Sequence, residues 1–237
     1  MQARSVRLMG RSNRSGELLI RLRAGQAVPL QETNPYVRQA CEMRDLVLTA
    51  PELEAGFPEL FPRPADPVWA EVGCYFGETL TAMAGNVSGV NFLGVDIRFK
   101  RVVKSGLRIR KAGLQNARVV LCDVDGFLDA LPPRSLAGIN VFFPDPWPRR
   151  KHRKHRFVNH GFLERAASRC RSGGVFWFKT DQESYFREVE ALVPQYGFVT
   201  DTVPPRILGD RDYDSVFQRL FQRQSDGVYQ AAWKRES

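Results

Sequence analysis

Five acidic residues stand at or just beyond the C-terminal ends of five successive apolar runs of the chain. Ligands of open parallel sheets bind at that edge, so these side chains are expected to surround one cleft. An aspartate in such a loop can also cap a helix, so the joint pattern carries more weight than any one residue. A cleft lined with carboxylates favours a cationic ligand that carries hydroxyl groups. The five residues are Glu71, Asp96, Asp123, Asp145 and Asp181.

The first of these acids opens a glycine-containing segment, EVGCYFGETL, at residues 71–80. Gly73 and Gly77 predict a turn that lets a cofactor approach the backbone. Asp96 follows Gly77 at about the spacing at which dinucleotide-binding folds place an acid on ribose hydroxyls. The pattern indicates a nucleoside-containing cofactor, either NAD or S-adenosylmethionine. The two glutamates of this segment would repel a pyrophosphate, and carboxylates attract a sulfonium ion, so S-adenosylmethionine is favoured.

A second segment with chemical character is FFPDPWPRRKHRKHRF, at residues 142–157. One carboxylate, Asp145, lies in its proline-stiffened part, and six Lys or Arg and two His follow within residues 149–156. The whole chain has 35 Lys plus Arg against 26 Asp plus Glu, a formal net charge of +9, which favours polyanionic partners. No apolar run approaches the roughly 18 residues that span a bilayer. Nucleic acid is therefore the expected partner, and a membrane is not.

Short apolar runs alternate with amphipathic stretches from about residue 68 onward. The runs predict strands that are buried on both faces. Their alternation with helices predicts an α/β fold, an open and mostly parallel sheet with helices on both faces. The predicted strands are 68–72, 91–96, 117–123, 138–143 and 174–179, and the predicted helices are about 78–84, 100–112, 125–130, 157–171 and 182–195.

The two ends of the chain have a different character. In the tail, residues 214–224 and 228–234 flank a turn and predict an antiparallel pair that closes one edge of the sheet. Six prolines between residues 35 and 67 interrupt any long element. We interpret residues 1–66 as a basic N-terminal arm, a short helix near 36–48 and a linker.

The cysteines and the N-terminal composition limit the class of protein. The four cysteines stand far apart, without a CxxC pair or zinc-ligand spacing, which excludes a zinc finger and fits a reducing cytoplasm. The first 25 residues hold six Arg and one acid, Glu17. That composition is similar to an organelle transit peptide, and a flexible RNA-contacting arm explains it equally well.

These motifs together resemble the bacterial tRNA (guanine-N7)-methyltransferases. PDPW with its basic, His-containing run is the most specific match, and EVGCYFGETL, GVDI, CDVDGFL and KTDQESY are similar to further motifs of that family in the same order. The resemblance covers about residues 67–235. It implies a Rossmann-like class I methyltransferase fold with a seven-stranded sheet, and residues 67–237 as the S-adenosylmethionine-dependent methyltransferase domain.

The resemblance also implies the reaction and the residues that perform it. The implied reaction transfers a methyl group from S-adenosylmethionine to N7 of a guanine in tRNA, expected at guanosine 46 of the variable loop. The implied protein is a cytoplasmic monomer or homodimer without a metal ion and without DNA as a partner. The implied cofactor residues are Glu71, Gly73, Gly77, Asp96, Asp123 and Asp145, the catalytic residue is Asp145, and the tRNA-binding residues are Arg149, Asp181, Ser215, Phe217 and Gln218.

Three features depart from the family pattern. Tyr75 stands where a third glycine is usual. The late Thr-x-Phe-Glu motif reads Ser-Val-Phe-Gln here and ends at Gln218, which has no charge. The first 60 or so residues lack the usual basic opening. A non-catalytic or re-targeted RNA-binding relative is therefore the alternative.

The implied chemistry assigns further expectations to the basic segment. Guanine N7 has a free lone pair, so positioning and electrostatics matter more than a general base. Asp145 is expected to stabilise the cationic ring or to hold the base, while the basic run grips phosphates. Trp147 is predicted either to stack on a turned-out purine or to pack beneath the loop. His152 and His155 are expected to be neutral hydrogen-bonding members of the run.

A second basic segment, residues 98–111, has seven Lys or Arg and no acid. Four of these cations, Lys100, Lys104, Arg108 and Lys111, fall on one face of a predicted helix. This face is either solvated or follows phosphates.

Overall fold

The computed structural model describes residues 13–23, 25–26, 35–147, 150–209, 211–214, 218 and 227–236. Within these ranges the chain forms one sheet with helices packed around it. The strands are β1 (Val47–Thr49), β2 (Val68–Val72), β3 (Asn91–Asp96), β4 (Ala117–Leu121), β5 (Leu136–Phe142), β6 (Cys170–Thr180), β7 (Phe198–Asp201) and β8 (Tyr229–Arg235). The α-helices are α1 (Asn13–Arg23), α2 (Pro35–Cys41), α3 (Ala50–Gly56), α4 (Glu78–Asn86), α5 (Phe99–Lys111), α6 (Val124–Asp129), α7 (His160–Arg169) and α8 (Glu183–Leu192).

The strands lie in the order β1-β4-β3-β2-β5-β6-β8-β7. Neighbours from β1 to β6 are parallel, whereas β8 runs antiparallel to both β6 and β7. The chain proceeds from β2 outward to β4 and then returns to β5 on the other side of β2. The C-terminal ends of β2 and β5 therefore border the crevice where the strand order reverses, which is where doubly wound sheets bind ligands.

Apolar side chains bury both faces of the sheet. Along β2, Val68, Ala70 and Val72 belong to one buried cluster and Trp69 to the other, because successive side chains of a strand point to opposite faces. The Trp69 indole lies against β5 at Gly138, where a Cβ atom would be 2.2 Å from the ring. The strand next to β2 therefore needs glycine at this position.

The predicted fold class is confirmed. The five predicted strands and five predicted helices all form, and β2 and β3 have the predicted bounds. Within the described residues the sheet has eight strands instead of seven, because Val47–Thr49 pairs in parallel with β4. In the described part of the chain, no helix is long and apolar enough to cross a bilayer.

Two local predictions in the N-terminal part differ from the structure, and one at the C-terminus lies mostly outside the described residues. Strand β8 is antiparallel as predicted, and it pairs with β6 and β7. Its predicted partner, 214–224, lies outside the described residues except for Asp214 and Gln218. The predicted helix near 36–48 ends at Cys41, and a strand follows it. Part of the predicted arm forms α1, in which Leu19 is fully buried.

Candidate active site

A cavity of about 570 Å³ opens at the C-terminal ends of β2, β3, β4 and β5. It lies where the strand order reverses, and its volume is typical of a site for a small organic ligand. Three of the five acids singled out in the sequence, Asp96, Asp123 and Asp145, line it together with Gly73. The structure thus brings together three carboxylates that are far apart in the sequence.

Asp96 is the last residue of β3, and only 5% of it is exposed. The backbone N–H of Arg98 donates to its Oδ1 at 2.8 Å, and Nη1 of Arg101 lies 3.4 Å from its Oδ2. Burial raises the pKa of Asp96, while the Arg98 N–H, Arg101 and the Tyr75 N–H oppose the rise. The carboxylate is held in one direction and retains lone pairs for hydroxyl donors of a ligand.

Asp123 follows β4, where it both caps a helix and lines the cavity. Its Oδ1 accepts a hydrogen bond from the Gly126 N–H at 2.7 Å, which caps the N-terminus of α6. Its side chain is half-buried and also lines the cavity. The cap occupies one carboxylate oxygen, so the second remains available to a ligand.

Glu71 lies within β2 and is 5% exposed, next to the cavity-lining Val72 but outside the lining itself. Burial raises its pKa to about 8, and the Leu80 backbone and the Asn140 side chain oppose the rise. Its Oε2 has no hydrogen-bond partner among the described residues. A buried carboxyl with an unsatisfied oxygen is suited to pairing with a positively charged group.

The turn between β2 and α4 depends on two glycines. Gly73 has φ +74° and lines the cavity. Gly77 has φ +73° and precedes α4, and a Cβ there would lie 2.9 Å from the side chain of Ser105 in α5. Gly77 is thus required by the turn and by its contact with α5, and it lies outside the cavity lining. Between the two glycines, Tyr75 also has a positive φ, +53°.

The PDPW loop forms one rim of the cavity, with Asp145 exposed on it. Trp147 is 39% exposed, so the interpretation that it packs beneath the loop is wrong. Its ring centroid lies 5.8 Å from that of His152 and 5.4 Å from that of His155. An aromatic group therefore stands at the same rim as Asp145, and its stacking on a base stays a prediction.

Arg156 anchors this loop from the interior of the protein. It is 2% exposed, its Nε donates to the Pro146 carbonyl at 3.0 Å, and its guanidinium pairs with Glu188. The guanidinium also lies 4.6 Å from the centroid of the Tyr185 ring. The expectation that the whole basic run grips phosphates is wrong at Arg156, because this side chain is buried. Its role is to fix the loop that carries Asp145.

Lys179 is a buried cation near the end of β6 that the sequence analysis did not single out. Its Nζ pairs with Asp212 and donates to the Tyr213 carbonyl at 3.1 Å and to Gln218 Oε1 at 3.2 Å. Burial lowers the pKa of Lys179, and Asp212 opposes this effect. These contacts fasten Asp212, Tyr213 and Gln218, which belong to the late segment of the chain, to the C-terminal edge of the sheet. They also give Gln218 a buried partner.

The remaining predicted substrate residues lie elsewhere or outside the described residues. Asp181 follows β6 at the same sheet edge but not in the cavity lining, and Gln182 Nε2 donates to it at 3.3 Å. The residues outside the described part of the chain are Arg149, Ser215 and Phe217.

Relatives of a known family align with most of this chain. A sequence model described as a putative methyltransferase matches residues 65–229. A tRNA (guanine-N(7)-)-methyltransferase of Shewanella amazonensis is 35% identical over 183 residues, 76% of each chain. The chain belongs to this family. A second tRNA (guanine-N(7)-)-methyltransferase, from Bordetella pertussis, is 36% identical over 188 residues, 73% of each chain.

Solved structures agree with the class I methyltransferase fold. The 16S rRNA methyltransferase KamB superposes with a TM-score of 0.53 at 16% identity, covering 79% of this chain and 92% of that one. A variant of the 16S rRNA (adenine(1408)-N(1))-methyltransferase from Catenulisporales acidiphilia, solved with its cosubstrate, gives a TM-score of 0.52 at 15% identity, covering 79% and 90%. At such identities the likeness concerns the fold alone.

This member of the tRNA (guanine-N(7)-)-methyltransferase family is an S-adenosylmethionine-dependent enzyme. The chemistry of its cavity fits that cofactor. Asp96 and Asp123 offer carboxylate oxygens at the strand ends. Next to the cavity lining, Glu71 has an oxygen without a partner among the described residues, which suits a positive charge. Gly73 lines the cavity, and a Cβ there would have no described atom within 4 Å, so open space borders its backbone.

Proposed function

We propose that this protein transfers a methyl group from S-adenosylmethionine to N7 of a guanine in tRNA, at guanosine 46 of the variable loop. The observation that carries the proposal is the shared cavity. Its acids from β3 and β4 adjoin the PDPW loop, which leads directly into a cationic run. Cofactor and base can therefore meet at one rim of the sheet.

The cofactor residues act by accepting hydrogen bonds and by balancing charge. Asp96 accepts from the ribose hydroxyls, and Asp123 accepts through the oxygen that the helix cap leaves available. A bound positive charge would lower the raised pKa of Glu71, so that its ionised form compensates the charge of the cofactor, and Gly73 and Gly77 shape the turn beside it. When bound, S-adenosylmethionine supplies the methyl group and its positive sulfonium charge.

Asp145 performs the catalytic role. The N7 lone pair is free, so the chain has no proton to remove before methyl transfer, and its contribution is positioning and electrostatics. Asp145 holds the guanine by accepting from its N1 and amino hydrogens, or stabilises the positive charge that appears on the methylated ring. Its exposed position on the cavity rim allows contact with a base that enters from solvent.

The RNA is held by its backbone and by its base. A protein cleft does not enter the deep and narrow major groove of an A-form helix, so the target guanine must lie in a loop or turn out of its stack. Lys151 and Lys154, which are exposed in the 3₁₀ helix Arg150–His155, contact the phosphates. Trp147 stacks on the base, a contact of about 1–3 kcal/mol in nucleic-acid sites.

Further residues are proposed to bind the tRNA or to support those that do. Arg149, Asp181, Ser215 and Phe217 contact the tRNA. Gln218 holds the late segment in position through Lys179, so its lack of charge is compatible with turnover, since Asp212 already balances the lysine. We also propose a cytoplasmic protein that acts as a monomer or homodimer, with a methyltransferase domain at residues 67–237 and a basic arm, helix and linker before it.

The test is incubation of the purified protein with labelled S-adenosylmethionine and bulk unmodified tRNA, followed by identification of the methylated nucleoside. The proposal predicts 7-methylguanosine, and its loss when a transcript carries adenosine at position 46. Label in another nucleoside would refute the proposed target. Failure to bind S-adenosylmethionine would favour the non-catalytic RNA-binding relative. Unchanged 7-methylguanosine in tRNA of a deletion strain would indicate a re-targeted enzyme.

A further inference from the structure

Tyr75 interrupts the glycine turn between β2 and α4 and adopts φ +53°. Residues other than glycine adopt this left-handed backbone only at an energetic cost. The backbone N–H of Tyr75 opposes the rise of the pKa of Asp96. The strained residue therefore contributes directly to the environment of the acid that faces the ribose in the proposed cofactor site.

The Tyr75 ring supports the same carboxylate through a second residue. The guanidinium carbon of Arg101 lies 4.6 Å from the centroid of the Tyr75 ring, a cation–π contact. Nη1 of the same guanidinium lies 3.4 Å from Asp96 Oδ2. Both Tyr75 and Arg101 line the cavity beside Asp96. The Tyr75 ring, the Arg101 guanidinium and the Asp96 carboxylate thus lie next to one another along one wall of the cavity.

Helix α5 holds this turn in place from outside. Ser105 Oγ lies 3.2 Å from the Tyr75 carbonyl oxygen and 3.0 Å from that of Arg101, between which its one proton is shared, and Arg108 Nε donates to the Phe76 carbonyl at 3.0 Å. Nζ of Lys104 lies 5.2 Å from the centroid of the Phe76 ring. Ser105 and Arg108 therefore hold the backbone of the turn that carries Tyr75, whereas Lys104 contacts the neighbouring Phe76 ring.

We propose that Tyr75 and Arg101 act as a clamp that orients the Asp96 carboxylate toward the ribose hydroxyls of the cofactor, which makes Tyr75 a positioning residue. The inference rests on the proposed cofactor site. Loss of the Arg101 guanidinium removes a partner of Asp96, and loss of the Tyr75 ring leaves that guanidinium less fixed, so in both cases the carboxylate has a less defined direction. Because hydrogen bonds to ionised groups are the stronger ones and depend on direction, the clamp affects ligands that carry the ribose hydroxyl more than ligands that lack it.

The test compares two ligands by isothermal titration calorimetry, S-adenosylhomocysteine and its 2′-deoxy analogue. The intact protein is expected to bind the first about tenfold more tightly, the discrimination of one charge-assisted hydrogen bond. Tyr75→Leu and Arg101→Gln each lower this ratio to about two- to threefold. Tyr75→Phe keeps the ring face, so it keeps the ratio. The conservative variant thereby separates loss of the clamp from general damage to the turn.

Lys104→Gln is the matched control. It removes a cation that stands over a neighbouring ring of the same turn but does not line the cavity, so the ratio stays at its original value. A variant that merely loosens the fold weakens both ligands equally and leaves the ratio unchanged. Arg101→Gln tests the clamp independently if Tyr75→Leu does not fold.

An unchanged ratio in both Tyr75→Leu and Arg101→Gln overturns the clamp, and so does a ratio near one in the intact protein. Asp96→Asn distinguishes failure of the clamp from failure of the site. If Asp96→Asn weakens S-adenosylhomocysteine binding while the clamp variants do not change the ratio, only the clamp is refuted. If Asp96→Asn binds as well as the intact protein, the proposed cofactor site is wrong.

Discussion

Replacing Glu71 with glutamine should remove a pH-dependent cost to folding. The folded chain holds this carboxyl at a pKa of about 8, against 4.5 for an exposed glutamate, chiefly because burial disfavours its charge. At any pH between these values the folded chain keeps a proton that the unfolded chain has released. The free energy of unfolding therefore falls as pH rises through this window, and the full cost is present above pH 8.

The size of the effect follows from the two pKa values. Each pH unit inside the window lowers the contribution of Glu71 to stability by up to about 1.4 kcal/mol. Between pH 5 and pH 8 the loss is on the order of 3 kcal/mol, since the slope is smaller near both ends. A glutamine of similar shape does not titrate, so the stability advantage of Glu71→Gln over the intact protein should grow by this amount.

The assay is urea unfolding without cofactor at pH 5, 6, 7 and 8, with the free energy of unfolding of both proteins compared at each pH. Subtracting the two curves cancels the titration of groups that the proteins share. Glu54→Gln, at an exposed position of α3, corrects for loss of one negative charge. A stability difference that stays constant from pH 5 to pH 8 would refute the reasoning that Glu71 is buried and protonated at neutral pH.

Three further predictions concern the loop anchors and the RNA surface. Arg156→Met should lower the methylation rate about tenfold, because it frees the PDPW loop, and should leave the affinity for S-adenosylhomocysteine unchanged. A single-turnover rate equal to that of the intact protein would contradict the role of Arg156 as the anchor of the loop. Asp212→Asn should lower the free energy of unfolding by about 1 kcal/mol, because Lys179 loses its counter-charge. The effect is limited because solvent partly screens the pair. Urea unfolding that matches that of the intact protein would argue against a stabilising pair. If about five cations contact phosphates, the logarithm of tRNA affinity should fall with the logarithm of salt concentration at a slope near −4, and a filter-binding slope near zero would exclude such a surface.

The central architecture could be predicted because its signals are local. Buried parallel strands appear in the sequence as short apolar runs, and each of these runs is long enough to predict a strand. Val47–Thr49 has only three residues and stands between two helices, so no periodicity identifies it. Strand β7, which pairs with β8, is also short, with the four residues Phe198–Asp201, and two of its side chains are exposed.

The candidate site was predictable where strand ends determine it. Acids after parallel strands converge on one edge, and Asp96, Asp123 and Asp145 do so in the structure. The buried cations were not predictable in the same way, because Arg156 lies in a basic run that was expected to bind phosphates. One signal did exist for Lys179, which directly follows the apolar residues of β6 and thus shares a buried strand. A charged residue inside such a strand indicates a buried partner elsewhere in the chain.

The most direct test of the account is the methylation rate of Asp145→Asn under single-turnover conditions with saturating tRNA and S-adenosylmethionine. Asparagine keeps the shape of the side chain but removes the charge that we propose acts on the base. We expect a rate lower by about 10²–10³, with tRNA affinity nearly intact because phosphate contacts supply it. A rate equal to that of the intact protein would contradict the claim that this carboxylate acts on the guanine.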